Sequence, residues 1–205
     1  MSKKRNASFS KRKLNAINED PLWIIVRKFV KTEMRPILNE IKSRKESDEI
    51  RIYLMNYLIV RIISIFENYL LNSALRIFKS YQIDTSKILK NINSEVPLEQ
   101  QIISSYSFMN LKDINILFSH IINKRFFDEI KYESETGGGF SYDDDVHIPY
   151  ASPLHKNWKK FEKMFELRDG IIHHNKLIKM KWREFRDSLE SVIDFLICTS
   201  VILPV

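Results

Sequence analysis

The sequence has one cysteine, four glycines and six prolines in 205 residues, and it has no long uninterrupted apolar run. The lone cysteine, Cys198, cannot form an intrachain disulfide, which favours a reducing cytoplasm. So few glycines and prolines argue against an all-β fold built on tight turns. Arg61 and Glu67 interrupt the most apolar stretch, residues 52–71, and no apolar segment follows the basic start MSKKRNASFSKRK. We therefore expect neither a membrane span nor a signal peptide.

Hydrophobic residues make up 44% of the chain and charged residues 29%, the balance of one soluble globular domain with a single core. Because Cys198 lies in an apolar run, we expect a buried, inert thiol. The formal net charge of +7 favours an anionic partner, nucleic acid first and a membrane surface second. A lysine excess that merely keeps the surface soluble explains the same charge, and composition does not separate these alternatives.

Apolar residues recur at helical spacing along most of the chain, and no segment alternates as a strand does. The first helix should begin at Asp20 and Pro21, and Pro36 should kink or split it. The further predicted helices cover residues 49–81, 86–91, 98–109, 111–131, 154–179 and 182–203. Apolar positions surround nearly the whole of helix 49–81, which we expect to be central and the most buried. The predicted fold class is all-α, an antiparallel helical bundle.

The chain divides into an arm, an extension and the bundle. Residues 1–19 are basic and form either an arm that attracts phosphates or a frayed terminus. Residues 20–47 form an N-terminal helical extension, and residues 48–205 form the bundle. Within the bundle, residues 132–152 form one long loop rich in glycine and aspartate.

Acidic residues in that loop raise the question of a metal site. Asp143, Asp144 and Asp145 are consecutive, and His147 follows them. Hard cations favour clustered carboxylates, but three consecutive residues do not converge on one ion. We therefore predict no metal and no other cofactor.

The stretch ELRDGIIHHN, residues 166–175, departs from an ordinary amphipathic helix. On a helical wheel, Arg168 and Asn175 fall within an apolar stripe. That stripe consists of Phe161, Met164, Phe165, Ile171 and Ile172. A guanidinium there must find an anion, open into a cleft or face another subunit. His173 follows Asp169 by one turn, so we predict that Asp169 hydrogen-bonds His173, sets its tautomer and favours its protonated form.

Each unusual residue of this stretch also has a plain structural explanation. Arg168 can pair with Glu67 or another carboxylate at the core edge, and the two histidines can lie in a turn. Gly170 can end a helix, whereas in mid-helix it costs roughly 1 kcal/mol and suggests close approach of a backbone or ligand. Taken together, however, an arginine, a carboxylate and a histidine are the minimum set for phosphodiester chemistry. The arginine holds the phosphate, the histidine moves a proton and the carboxylate orients the histidine.

The spacing of Arg168 and His173 resembles the Arg–four residues–His signature of HEPN domains. In that signature a polar residue follows the arginine, as Asp169 does here. A long earlier helix carries FENYL at residues 66–70, similar to the FE-x-x-L helix of several HEPN groups. The resemblance covers residues 48–203. The HEPN signature does not require a glycine at the next position, where this sequence has Gly170.

What the resemblance implies is a metal-independent endoribonuclease that acts as a toxin or abortive-infection effector. Such proteins work as homodimers whose two motifs face one cleft, and an antitoxin or other defence-system protein can be a partner. Arg168 would bind the phosphate, His173 would be the catalytic histidine and Asp169 would be the polar residue beside the arginine. The supporting residues would be Glu67, His174 and Asn175.

Lysines surround the motif helix and could guide RNA, with Trp158 and Trp182 stacking bases. The predicted RNA-binding lysines are Lys159, Lys160, Lys163 and Lys176. A solvated helix face explains such lysines as well. The rival function is a non-catalytic HEPN module that binds RNA, a nucleotide or a partner protein through the same cleft.

Overall fold

The computed structural model describes residues 21–80, 88–89, 95–136 and 154–203, and every regular element in these ranges is helical. The helices are α1 (Pro21–Phe29), α2 (Arg35–Ser43), α3 (Glu49–Ser80), α4 (Leu98–Ser105), α5 (Leu111–Ile122), α6 (Phe126–Thr136), α7 (Leu154–His174) and α8 (Trp182–Ile202). A π-helical turn, Val30–Met34, joins α1 to α2. The all-α prediction is confirmed.

The core of the bundle lies where α3, α7 and α8 pack together. Phe161 of α7 stacks on Phe195 of α8 with ring centroids 4.6 Å apart, and Phe66 of α3 lies 5.1 Å from Phe195. Residues 191–201 of α8 are all buried, whereas buried and exposed positions alternate along α3. The prediction that helix 49–81 is the most buried was therefore wrong, because α8 is enclosed more completely by its neighbours.

Cys198 lies within the buried part of α8. Burial raises the pKa of its thiol well above the ordinary range, so the thiolate is disfavoured. This is the inert core thiol that the apolar run predicted.

The first helical segment is divided near Pro36, but the irregular π-helical turn lies before the proline rather than at it. A proline has no backbone N–H and crowds the preceding turn. The chain widens there into the π-helical turn, in which the Arg35 N–H donates to the Val30 carbonyl. Pro36 then lies in the first turn of α2, where proline is tolerated.

Several predicted helix boundaries were wrong. The helix predicted over 111–131 is two helices, because Asn123 adopts a left-handed conformation (φ 53°) that ends α5. α6 continues to Thr136, five residues into the predicted loop, and α4 ends at Ser105. In the predicted helix 86–91, Ile88 and Leu89 are described and are not helical. The rest of that segment, residues 137–152 and the 1–19 arm lie outside the described residues.

The motif helix α7 ends at His174 rather than at residue 179. Asn175 takes a left-handed conformation (φ 49°), and the Lys176 N–H donates to the Gly170 carbonyl at 3.0 Å. Left-handed residues commonly close helices, and asparagine tolerates that conformation better than most. Asn175 therefore stops the helix, which is a structural role that the helical wheel did not indicate.

Buried Asn56 of α3 holds the segment that follows the motif helix. Its Nδ2 donates to the Ile178 carbonyl at 2.9 Å, and its Oδ1 accepts from the Ile178 N–H at 2.9 Å. Both backbone groups of Ile178 are thereby satisfied away from water. We call this pair of bonds the Asn56 clasp. The sequence signal for the clasp is a polar residue, Asn56, among the apolar residues of α3.

Asn56→Ala should lower the free energy of unfolding by about 2–4 kcal/mol, because it leaves a buried N–H and a buried carbonyl without partners. Urea denaturation of the variant and the parent would measure the loss. The matched control is Asn39→Ala at an exposed position of α2, where the change should stay within about 0.5 kcal/mol. Equal losses in both variants would mean that the clasp contributes nothing particular.

Candidate active site

The start of α7 is fixed to the neighbouring helices by a buried carboxylate. Asp194 of α8 accepts hydrogen bonds from the Leu154 N–H at 2.7 Å and from the Ser134 hydroxyl at 2.9 Å. The Ser134 hydroxyl in turn accepts from the His155 N–H at 3.2 Å. These bonds satisfy the first backbone donors of α7 and join it to α6 and α8. The motif at its other end is therefore carried on an anchored helix.

Arg168 lies at the edge of the apolar core, with 16% of its side chain exposed. Its Nη1 lies 3.1 Å from Asp169 Oδ1, while its Nε is buried and has no hydrogen-bond partner within the described part of the chain. A buried guanidinium nitrogen without an acceptor is costly. It is also a donor available to an anion that enters the site.

The apolar stripe around Arg168 is shorter than the helical wheel indicated. Phe161, Met164 and Phe165 are buried, but Ile171 is only partly buried and Ile172 is 44% exposed. The last turn of α7 extends beyond the core that its first turns cover. Arg168 lies at the boundary between the two regions.

Glu67 of α3 lies close enough to the motif for the charges of Arg168 and Asp169 to act on its carboxyl. Burial raises the pKa of its carboxyl; the positive charge of Arg168 lowers the pKa and the negative charge of Asp169 raises it further. No ion pair between Glu67 and Arg168 occurs among the described residues; the carboxylate that Arg168 pairs with at the core edge is that of Asp169. The structure thus brings two carboxylates and one guanidinium together where α3 meets α7.

Glu67→Gln should be at least as stable as the parent near pH ~7, because the raised pKa means that the ionised carboxylate destabilises the fold. The ionised carboxylate lowers the free energy of unfolding at every pH above the pKa of Glu67 in the folded protein. This loss of stability disappears as the pH falls below the pKa of a glutamate in the unfolded chain. The stability difference between variant and parent should therefore shrink on acidification. Melting temperatures of both proteins from about pH 7 to about pH 4 would measure it.

The control for that comparison is Glu135→Gln, which changes an exposed carboxylate on α6. Its effect on the melting temperature should be small across the same range. A Glu67→Gln variant that melts well below the parent at neutral pH would contradict this prediction, because the ionised carboxylate would then stabilise the fold.

The predicted hydrogen bond between Asp169 and His173 was wrong. Asp169 instead holds Arg168, the adjacent cation, because a charge-assisted pair is stronger than a bond to an imidazole one turn away. His173 and its neighbour His174 are both exposed. Within one chain, the arginine and the histidine are therefore not assembled into one closed site.

Gly170 is not required by close packing. A Cβ built at this position would meet the Lys176 side chain at 3.8 Å, an ordinary van der Waals distance. The close approach of a backbone that the glycine suggested is not found among the described residues. Gly170 lies in the penultimate turn of α7, near the end of the helix rather than in its middle.

Only two of the four predicted RNA-binding lysines present an unpaired ammonium in the described structure. Lys160 lies 2.7 Å from Asp187 Oδ2, and Lys163 lies 2.8 Å from Glu184 Oε1. Both pairs join α7 to α8, so these two lysines have a structural role that the sequence analysis missed. Lys159 and Lys176 are exposed and remain candidates for phosphate contact.

Trp158 is not a free stacking platform. Its Nε1 donates to Glu162 at 2.8 Å, and its ring packs against Phe127 and Phe161 at 5.1 and 5.2 Å. Lys131 Nζ lies 4.2 Å from the ring centroid. Because these neighbours already cover the ring, the prediction that Trp158 stacks RNA bases has no support. Trp182 is half-buried beside Phe185.

Two further features of the described ranges bear on the site. No group of three His, Cys, Asp or Glu side chains there could hold a metal ion. The acidic loop cluster at 143–145 and His147 lie outside those ranges. No helix in the described ranges is long and apolar enough to cross a membrane.

No family model, curated protein or solved structure matches the chain. The assignment of function therefore depends on the motif and on the arrangement around it. That arrangement can bind one anion through Arg168, and it offers a nearby carboxylate and an exposed histidine one helical turn further along.

Proposed function

We propose that the protein is a metal-independent endoribonuclease of the HEPN type, which acts in the cytoplasm as a toxin or abortive-infection effector. The observation that carries the proposal is the setting of Arg168 in the Arg–four residues–His motif. This guanidinium lies at the edge of an apolar core, and its buried Nε has no acceptor within the described ranges. Carboxylate and phosphate oxygens are the acceptors that such a donor fits, and RNA supplies the phosphate.

The reaction would be an attack of a ribose 2′-hydroxyl on the adjacent phosphorus. The O2′–P bond forms, the P–O5′ bond breaks, and the proton lost by the 2′-hydroxyl is balanced by one gained at the leaving oxygen. His173 would transfer one of these protons, and Arg168 would stabilise the charge of the phosphorane. Asp169 would hold the guanidinium in place rather than orient the histidine, since its carboxylate bonds Arg168.

A homodimer would bring the two key groups together. Arg168 and His173 are five residues apart on one helix and so point about 140° apart, which places them on different faces. A second copy of α7, related by a two-fold axis, would set the arginine of one chain beside the histidine of the other. Ile172 and Leu177, 44% and 47% exposed, flank the motif and would contribute apolar area to such a contact.

RNA cleavage should persist in excess EDTA, because the proposed mechanism uses an arginine and a histidine and no metal. The products should end in a 2′,3′-cyclic phosphate and a 5′-hydroxyl. Incubating the purified protein with a defined single-stranded RNA, with and without EDTA, and analysing the ends would test this. Activity that disappears in EDTA and returns with Mg²⁺, or 3′-hydroxyl ends, would rule the mechanism out.

The second candidate is a non-catalytic module that binds RNA, a nucleotide or a partner protein, such as an antitoxin, through the same cleft. His173 is exposed and has no hydrogen-bond partner within the ranges that the structure describes, which favours this candidate, because a binding site needs the arginine but no positioned histidine. In that case the parent would bind RNA without cutting it. Arg168→Ala would then weaken binding, whereas His173→Ala would leave it nearly unchanged.

A further inference from the structure

A cavity of about 280 Å³ lies between α1, the π-helical turn and α3. Its apolar wall is formed by the buried side chains of Val26, Phe29 and Ile65. The π-helical turn supplies Thr32 and Glu33 to the opposite wall. Single π-helical turns inside α-helices occur frequently at functional sites. The volume is at the small end for ligand pockets, so any occupant must be compact.

The charges around this cavity do not cancel. Arg61 binds Glu33 through two bonds, Nε to Oε2 at 3.1 Å and Nη2 to Oε1 at 3.2 Å. Tyr57 donates a further hydrogen bond to Glu33 at 3.1 Å, and the Arg61 contact lowers the pKa of that carboxyl, which stays ionised. The carboxylate is thus already neutralised. Lys28 also lines the cavity, and its ammonium has no carboxylate partner among the residues described.

Hydrogen-bonding groups complete the rim. The guanidinium of Arg61 also lines the cavity, where it binds Glu33 and interacts with the Tyr57 hydroxyl. Asn68 and Asn72, one turn apart on α3, are exposed and line the same opening. The cavity therefore combines an apolar wall, two cationic groups and two amides, with one net positive charge.

We propose that this cavity binds a compact organic anion, a carboxylate or phosphate attached to an apolar body. The apolar body would lie against Val26, Phe29 and Ile65. The anionic group would be held by the ammonium of Lys28, with the positive charge of Arg61 beside it. The cavity includes neither Glu67 nor any residue of α7, so the proposal is independent of RNA cleavage.

The experiment titrates the full chain with each of four small-molecule probes and monitors binding by the NMR chemical shifts of the protein. Phenylacetate and phenyl phosphate carry both an apolar body and a charge, 2-phenylethanol carries the body alone, and inorganic phosphate carries the charge alone. Phenylacetate and phenyl phosphate should bind saturably and at least about fivefold more tightly than the other two probes. A fivefold difference in Kd corresponds to roughly 1 kcal/mol of binding free energy. The tighter of the two anions identifies whether the natural ligand is a carboxylate or a phosphate.

Three variants test the location of binding. Lys28→Ala should weaken the better anion about fivefold or more, since a charge-assisted contact is lost. Asn68→Trp, a bulky replacement at an exposed rim position, should block binding. Lys42→Ala removes an exposed lysine of α2 that does not line the cavity, and it should change nothing. The proposal fails if neither anion binds, if 2-phenylethanol or inorganic phosphate binds as tightly, or if Lys28→Ala and Lys42→Ala have equal effects.

Discussion

His173→Ala and Arg168→Ala should each lower the rate of RNA cleavage by about 10²- to 10⁴-fold while leaving the fold nearly intact. His173 is exposed, so its removal opens no cavity. Among the described residues, Arg168 makes one side-chain bond, to exposed Asp169, and its buried Nε has no acceptor. Alanine there should therefore change the free energy of unfolding by about 1 kcal/mol or less. Single-turnover cleavage rates and melting temperatures would be compared for each variant.

Matched controls exist for both substitutions. His120→Ala and Arg125→Ala change an exposed histidine and an exposed arginine outside the motif helix, on α5 and just before α6. Cys198→Ser changes the buried thiol. All three should retain cleavage in whatever fraction remains folded. If Arg168→Ala melts far below the parent, the arginine is a structural residue and the assignment of the site fails.

Mixing the inactive Arg168→Ala and His173→Ala proteins should restore about a quarter of the parent activity. Free exchange of subunits makes half of the dimers mixed, and each mixed dimer keeps one of its two sites intact. That site takes its arginine from one chain and its histidine from the other. The mixture would be assayed on the same RNA after subunit exchange has been verified with differently labelled chains.

The result separates two ways of building the site. Recovered cleavage would mean that the site lies across the dimer interface. A mixture that stays inactive despite complete exchange would mean that an intact motif within one chain is needed. A protein that remains a monomer at assay concentrations would contradict the shared cleft before any mixing.

The helices were largely predictable because helical periodicity is a local property of the sequence. The spacing of apolar residues indicated α3 almost residue for residue, and it indicated the start of α7 at Leu154. The breaks at Asn123 and Asn175 were not predicted, since a left-handed asparagine leaves no glycine or proline signal. The relative burial of α3 and α8 depends on which neighbours cover each helix, and spacing within one helix does not carry that information.

From the sequence, one could predict which side chains of the candidate site can reach one another, but not which of them form a hydrogen bond. A helical wheel shows that Asp169 can reach His173, but it does not show that Arg168 competes for the same carboxylate. The pairing of Lys160 and Lys163 with acids of α8 arises when the two helices dock. Such pairings join residues more than twenty positions apart, and no local pattern indicates them.

The position of the most enclosed helix affects when the fold can be completed during synthesis. A ribosome releases α3 and α7 before α8, yet residues 191–201 of α8 are all buried, and Phe195 packs against both earlier helices. Until those residues leave the exit tunnel, the motif helix lacks its main packing partner. Under the proposed function, a chain that has not yet released α8 should therefore be unable to cut RNA.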